Sequence, residues 1–251
     1  MSDKISVSGI SEMFAKILAE ENRLLQIADE QRDGYLNFAL AMFQVLSENS
    51  SIKVSTENWI FPFFLTQVRK HIGLALLSVV RRHHIQAMLD LRQAIEAASW
   101  MLYSVANTEQ SAFFETDDRN AARVTSGQKK RMYDWLDQNY SQGSKSLKQM
   151  KDHINESCAH ASIVYAENNF NSADFSFSFF DQEHTRQQKS NLFFIGTCAW
   201  QILDLLYGIN QTHKKNVFSA EFLPLMRSLK PMMEKLRDEG IEEAKKLGHI
   251  V

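Results

Sequence analysis

The chain has 251 residues, 44% hydrophobic and 23% charged, and its 28 basic and 30 acidic side chains leave a net charge of −2. That length supports a full hydrophobic core in one large domain or two small ones, and the near-neutral balance excludes a globally basic nucleic-acid binder, so any such binding needs a local patch. Nine glycines and three prolines argue against a loop-rich or all-β fold.

Residues 10–49 read as helix nearly throughout. Met13, Phe14, Ile17, Leu18, Leu24, Leu25 and Ala28 give one apolar stripe, and Leu36, Phe38, Leu40, Met42, Phe43 and Leu46 resume it after Gly34. The expectation is two antiparallel helices, or one long helix kinked at Gly34. Residues 49–58 form a loop that ends in the capping types Ser55, Thr56, Glu57 and Asn58. A helix over 59–80 follows, with Pro62 in its first turn, where a missing N–H is harmless. Its cluster of Trp59, Ile60, Phe61, Phe63, Phe64 and Leu65 must be buried or paired. Arg81, Arg82, His83 and His84 break the pattern and mark a solvated turn.

The central helix runs from there to near Asn107. Met88, Leu91, Ile95, Ala98 and Leu102 draw its core-facing stripe. A second row beside it, Ile85, Leu89, Arg92, Glu96, Ser99 and Tyr103, is half polar. Residues 108–128 are short helix and loop, 129–140 helix, 141–146 (SQGSKS) a connector, and 147–166 helix again with Ile154, Cys158, Ala161 and Tyr165 inward. Period-two alternation of Phe175, Phe177 and Phe179 with serines predicts a strand over 174–180, paired in a hairpin with 162–165. Residues 187–211 are a long apolar helix, and 220–247 the last helix, kinked or split at Pro231.

Residues 192–209 are the one membrane-like stretch, and Gln201 and Asp204 within it favour a buried core helix. Cys158 and Cys198 lie apart in apolar patterns and read as reduced core residues. MSDKISVSGISE at the start has no apolar run, so the expectation is a cytoplasmic protein of bacterial type without a secretory signal.

Four groups could carry chemistry. His153, Glu156, Ser157 and His160 share one helix face beside the apolar stripe, where a partly buried histidine near a carboxylate could serve as a base or a ligand. His153, Glu156 and His160 are the metal alternative, although no established metal signature is matched. Arg92 and Glu96 can form an internal ion pair, or Arg92 can wait for an anion that fits its guanidinium fork. The Arg81–His84 run cannot all face one site. Arg123, Lys129, Lys130, Arg131 and Trp135, with Arg119, Tyr133 and Tyr140, interleave cations and rings as single-stranded nucleic-acid surfaces do, diluted by Asp117, Asp118, Asp134 and Asp137.

LRQAIEAASWMLY at 91–103, an Arg-x-x-x-Glu followed by aromatics, and INESCAHAS at 154–162, with Ser157 and His160 as a Ser-x-x-His pair, together resemble a family of uncharacterised bacterial helical proteins related in architecture to HEPN domains. The resemblance covers residues 60–170 and implies a bundle with Arg92, Glu96, Ser157 and His160 near one another. HEPN domains include ribonucleases of toxin and phage-defence systems, often dimeric, that use an arginine closely followed by a histidine. This chain lacks that spacing, which favours a non-catalytic role unless Arg92 and His160 assemble the same chemistry from two helices.

The resulting expectation is a mainly α single domain over 1–251, a multi-helix bundle of roughly seven to nine helices with one small β-hairpin. A helical hairpin over 1–50 packs on a 59–215 core, and 219–251 is the C-terminal helix. The leading function is a binding or interaction module with a polar pocket formed by Arg92, Glu96, Ser157 and His160. The alternatives are a metal-independent ribonuclease or other phosphodiester-acting enzyme, with His160 as acid/base and Arg92 on phosphate, and a metal-dependent hydrolase. No cofactor and no membrane are called for. A homodimer is expected, joined through the hairpin or the helix from Trp59, with a protein partner and nucleic acid at Arg123, Lys129, Lys130, Arg131 and Trp135 as further options.

Overall fold

The computed structural model describes residues 7–49, 59–116, 121–158, 169–171, 176–182, 185–214, 218–246 and 248. The fold is mainly α, a multi-helix bundle with a small β-hairpin. Its helices are α1 (Val7–Glu30), α2 (Gly34–Gln44), α3 (Ile60–Val80), α4 (His84–Ala106), α5 (Ser126–Asn139), α6 (Ser141–Cys158), α7 (Thr185–His213) and α8 (Phe222–Lys246). Two two-residue antiparallel ladders accompany them: β1 (Glu115–Thr116) with β2 (Ala122–Arg123), and β3 (Phe170–Asn171) with β4 (Ser176–Phe177).

The stripe of α4 is the centre of the core. Met88, Leu91, Ile95, Ala98 and Leu102 are all buried, as their spacing requires. The antiparallel partner α3 supplies Leu65, Val68, Ile72, Leu76 and Val79, and α7 supplies Ile195, Cys198, Ile202, Leu206 and Ile209. The break at Gly34 is real: Asp33 caps α2 by accepting from the Leu36 N–H at 2.9 Å, and α2 enters the core with Phe38 and Met42 fully buried. α1 does not follow it inward. Leu24 is buried, but Met13, Phe14 and Leu18 of the same stripe are more than half exposed, because α1 runs past the end of α3. An amphipathic pattern fixes which face is apolar, not whether another element covers it.

α7 is the membrane-like stretch of the sequence, and its apolar face lies inside the bundle. α3, with 21 residues against 29 in α7, is also long and apolar enough to cross a membrane by composition, and less of it is buried. α8 is one continuous helix through Pro231.

SQGSKS at 141–146 is not a connector; it forms the first turns of α6. Tertiary contacts override the weak helix preference of serine and glycine there. Ser144 donates to Asp137 Oδ1 at 2.6 Å, Ser146 donates to Gln201, and a Cβ at Gly143 would meet Leu205 at 2.8 Å. The hairpin strand at 174–180 survives as Ser176–Phe177, paired with Phe170–Asn171; residues 162–165 lie outside the described residues.

The turn between α3 and α4 is where the expectation of a solvated RRHH segment fails. Arg82 sits at φ 60°, the left-handed region that non-glycine residues avoid at a cost of ~1–2 kcal/mol. Asp181, 97 residues beyond His84, holds it there from both sides. Its N–H donates to the Arg82 carbonyl at 2.8 Å, and its carboxylate accepts from the His84 N–H at 2.5 Å. His84 is buried, and His83 is half-buried between the rings of Phe179 and Phe180 with Nε2 3.4 Å from Glu21.

Candidate functional site: a cationic seam between α4, α5 and α6

Three observations orient the helices around Arg92. The N-terminal ends of α4 and α7 meet where Asn191 lies 3.3 Å from His84 Nδ1, and their C-terminal ends meet where Tyr103 and His213 both touch Trp135. They are therefore parallel. α6 runs the other way along α7, pairing Gly143 with Leu205, Ser146 with Gln201 and His153 with Phe194. So α6 is antiparallel to α4, and its last turns lie level with the first half of α4.

That geometry brings Glu96 against α6, with Arg92 one turn away on the same helix. Arg92 Nε stands 3.6 Å from Glu96 Oε1, an ion pair too long for a hydrogen bond. Lys151 of α6 reaches the same oxygen at 3.0 Å and lies 3.3 Å from the Tyr133 hydroxyl of α5. Lys148 and Lys151 both lie over the Tyr133 ring, 5.4 and 5.6 Å from its centroid. Lys148 also pairs with Asp137.

Charge balance in the seam is uneven. Burial works against the Lys151 charge, but Glu96 and the Tyr133 oxygen outweigh it and hold the ammonium above the ordinary lysine range. The Lys148 and Ser144 hydrogen bonds hold the Asp137 carboxyl below the usual range. Lys148 and Asp137 thus cancel, while Arg92 and Lys151 share one carboxylate. The Arg92, Glu96 and Lys151 side chains are only 34%, 32% and 23% exposed, so water compensates the surplus positive charge poorly. Arg92 Nε is buried and donates no hydrogen bond among the described residues, and Asn155 Oδ1, one turn beyond Lys151 on α6, is buried and accepts none. Buried polar atoms are nearly always partnered, so two such atoms on one seam require explanation.

The remaining sequence candidates fall as follows. Ser157 belongs to the last turn of α6, and His160 lies outside the described residues. His153 and Glu156 are exposed rather than partly buried, because Leu147 and Ile154 carry the inward face of α6. No metal-holding group of three or more His, Cys, Asp or Glu side chains occurs among the described residues. Arg123, Lys129, Lys130 and Arg131 are exposed, whereas Trp135 packs against Tyr103, Tyr140 and His213 at 5.5–6.2 Å and is half-buried. With Phe64, Trp100 and Phe113 it continues a run of touching rings through the bundle. The rings at the basic patch are largely taken up by packing within the protein.

Sequence reasoning missed Lys151 and Asn155. Their four-residue spacing was visible, but nothing local said that this face of α6 meets Glu96. The fold and the seam together define a helical bundle with a half-buried, charge-unbalanced cluster between α4, α5 and α6. No family model, curated protein or solved structure matches this chain.

Proposed function

We propose that the protein is a non-catalytic binding module whose ligand docks on the seam of Arg92, Glu96, Lys151 and Tyr133. The observation that carries this is the shared atom: two half-buried cations converge on Glu96 Oε1, and one of them has an unused donor. A purely structural ion pair would match its charges one to one, since an unmatched buried charge is costly. A binding site keeps the surplus for its ligand.

Native mass spectrometry of the purified protein tests this, beside an Arg92→Gln/Lys151→Gln variant. The expected result is a bound mass on the wild type that the variant lacks. No adduct, together with no differential response of the two proteins in a thermal-shift screen, contradicts it. Cleavage of total RNA that Arg92→Ala abolishes would replace binding with catalysis.

A second reading concerns self-association, for which we take the exposed stripe of Met13, Phe14 and Leu18 on α1 as support. The homodimer forms through α1 in this reading. Light scattering should give a dimer for the wild type and a monomer for Leu18→Glu; a wild-type monomer at high concentration contradicts it.

A further inference from the structure

We infer that the ligand of the seam is a small oxyanion carrying its own hydroxyl group, a class exemplified by hydroxylated organic phosphates and hydroxycarboxylates. This rests on the binding reading above and specifies its chemistry.

The first half of the inference comes from charge. Arg92, Lys151 and Glu96 sum to one excess positive charge, and their side chains are 34%, 23% and 32% exposed. Among the described residues Arg92 Nε–H has no hydrogen-bond acceptor, and Glu96, the one carboxylate in ion-pair range there, is already bonded to Lys151. A guanidinium edge with a free donor beside an ammonium is the arrangement that binds carboxylate or phosphate oxygens.

The second half comes from Asn155. The antiparallel course of α4 and α6 sets Glu96 beside Lys151, so one turn back on α4 and one turn on along α6 bring Arg92 and Asn155 to the same level. On α6, Asn155 shares the side of Lys148 and Lys151 and faces away from the side that carries Ser146 and His153 to α7. Among the described residues the seam therefore offers an unused donor on α4, Arg92 Nε, and an unused acceptor on α6, Asn155 Oδ1. A bare anion would satisfy only the donor. A ligand that presents an oxyanion to Arg92 and an adjacent hydroxyl proton to Asn155 satisfies both.

Isothermal titration at matched ionic strength, with four probes and three proteins, decides the matter. The probes are inorganic phosphate, glycerol 3-phosphate, acetate and glycolate, with neutral glycerol as control. The proteins are the wild type, Arg92→Gln and Asn155→Leu, each checked for a native circular dichroism spectrum. The wild type should bind glycerol 3-phosphate or glycolate at least tenfold more tightly than its hydroxyl-free counterpart, and which pair binds distinguishes a phosphate from a carboxylate. Arg92→Gln should lose at least tenfold in affinity for both members of that pair. Asn155→Leu should keep the oxyanion and lose only the hydroxyl preference. Should Arg92→Gln fail to fold, Arg92→Lys retains the charge without the donor fork and should still lose affinity. Equal binding of hydroxylated and plain anions overturns the inference and leaves the binding reading standing. So does a neutral adduct in the native mass spectrum. No binding of any anion below 10 mM (roughly −3 kcal/mol in standard free energy) overturns the oxyanion assignment itself.

Discussion

Arg92 Nε and Lys151 Nζ converge on one atom, Oε1 of Glu96, at 3.6 and 3.0 Å. The consequence is asymmetric. Removing Glu96 leaves two half-buried cations facing each other, whereas removing Arg92 leaves a matched pair. Glu96→Gln should cost about 1–2 kcal/mol of stability, short of the 3–5 typical of a fully buried pair because the groups are one-third exposed. Arg92→Gln should stay within about 0.5 kcal/mol of wild type, because it removes only a long, partly exposed ion pair and no hydrogen bond among the described residues. Urea denaturation of the two variants checks this; an Arg92→Gln loss as large as that of Glu96→Gln would show that the triad is balanced.

Asp181 is the remote support of the RRHH turn. Asp181→Ala removes the carboxylate that caps α4 at the His84 N–H and should cost about 1–2 kcal/mol, the upper range for a lost helix cap. Arg82→Gly should cost less than Asp181→Ala, because glycine adopts φ 60° without strain and this offsets the lost side chain. A thermal melt in which Arg82→Gly is the more damaging variant would mean that the Arg82 side chain, not the backbone turn, is what matters there.

Two glycines of α7 should respond to alanine with opposite signs. A Cβ at Gly196 would lie 2.6 Å from the fully buried Phe38 ring and 3.3 Å from the Ala39 Cα, so Gly196→Ala should cost about 1–3 kcal/mol through overpacking. Gly208 has nothing within 4 Å of that position, and Gly208→Ala should gain about 0.5–1 kcal/mol from helix preference. Melting temperatures of the two variants shifting in the same direction would contradict the close contact of α2 and α7.

Cys198 is fully buried, and burial pushes its thiol up to about 12. In a Cys158→Ser background the native protein should react with a thiol reagent at pH 8 at least a hundredfold more slowly than the same protein in denaturant, since only the thiolate attacks. Comparable rates would place Cys198 at the surface and unseat the packing of α7.

What the sequence disclosed follows from range. The stripe from Met88 to Leu102 and the Arg92–Glu96 pair lie within single helices, where spacing alone fixes which side chains share a face. The break at Gly34 and the strand around Ser176 are likewise local. Lys151 joining Glu96, and Asp181 joining His84, are encounters between distant segments, and no local pattern encodes them. SQGSKS misled because serine and glycine usually mark connectors, and here contacts to Asp137, Gln201 and Leu205 hold them helical. Met13, Phe14 and Leu18 misled for the converse reason, a helical stripe that nothing in the described chain covers.

The central claim is that the Arg92 donor is kept for a ligand. Arginine side-chain NMR tests it most directly, with the Arg92 Nε–Hε resonance assigned by its absence in Arg92→Lys. Titration with glycerol 3-phosphate and with glycolate should move that resonance saturably downfield with at least one of them, as a new charge-assisted hydrogen bond requires, while resonances of exposed arginines such as Arg131 stay in place. An Arg92 resonance that remains fixed, or that drifts with all the others as ionic strength rises, would contradict the account.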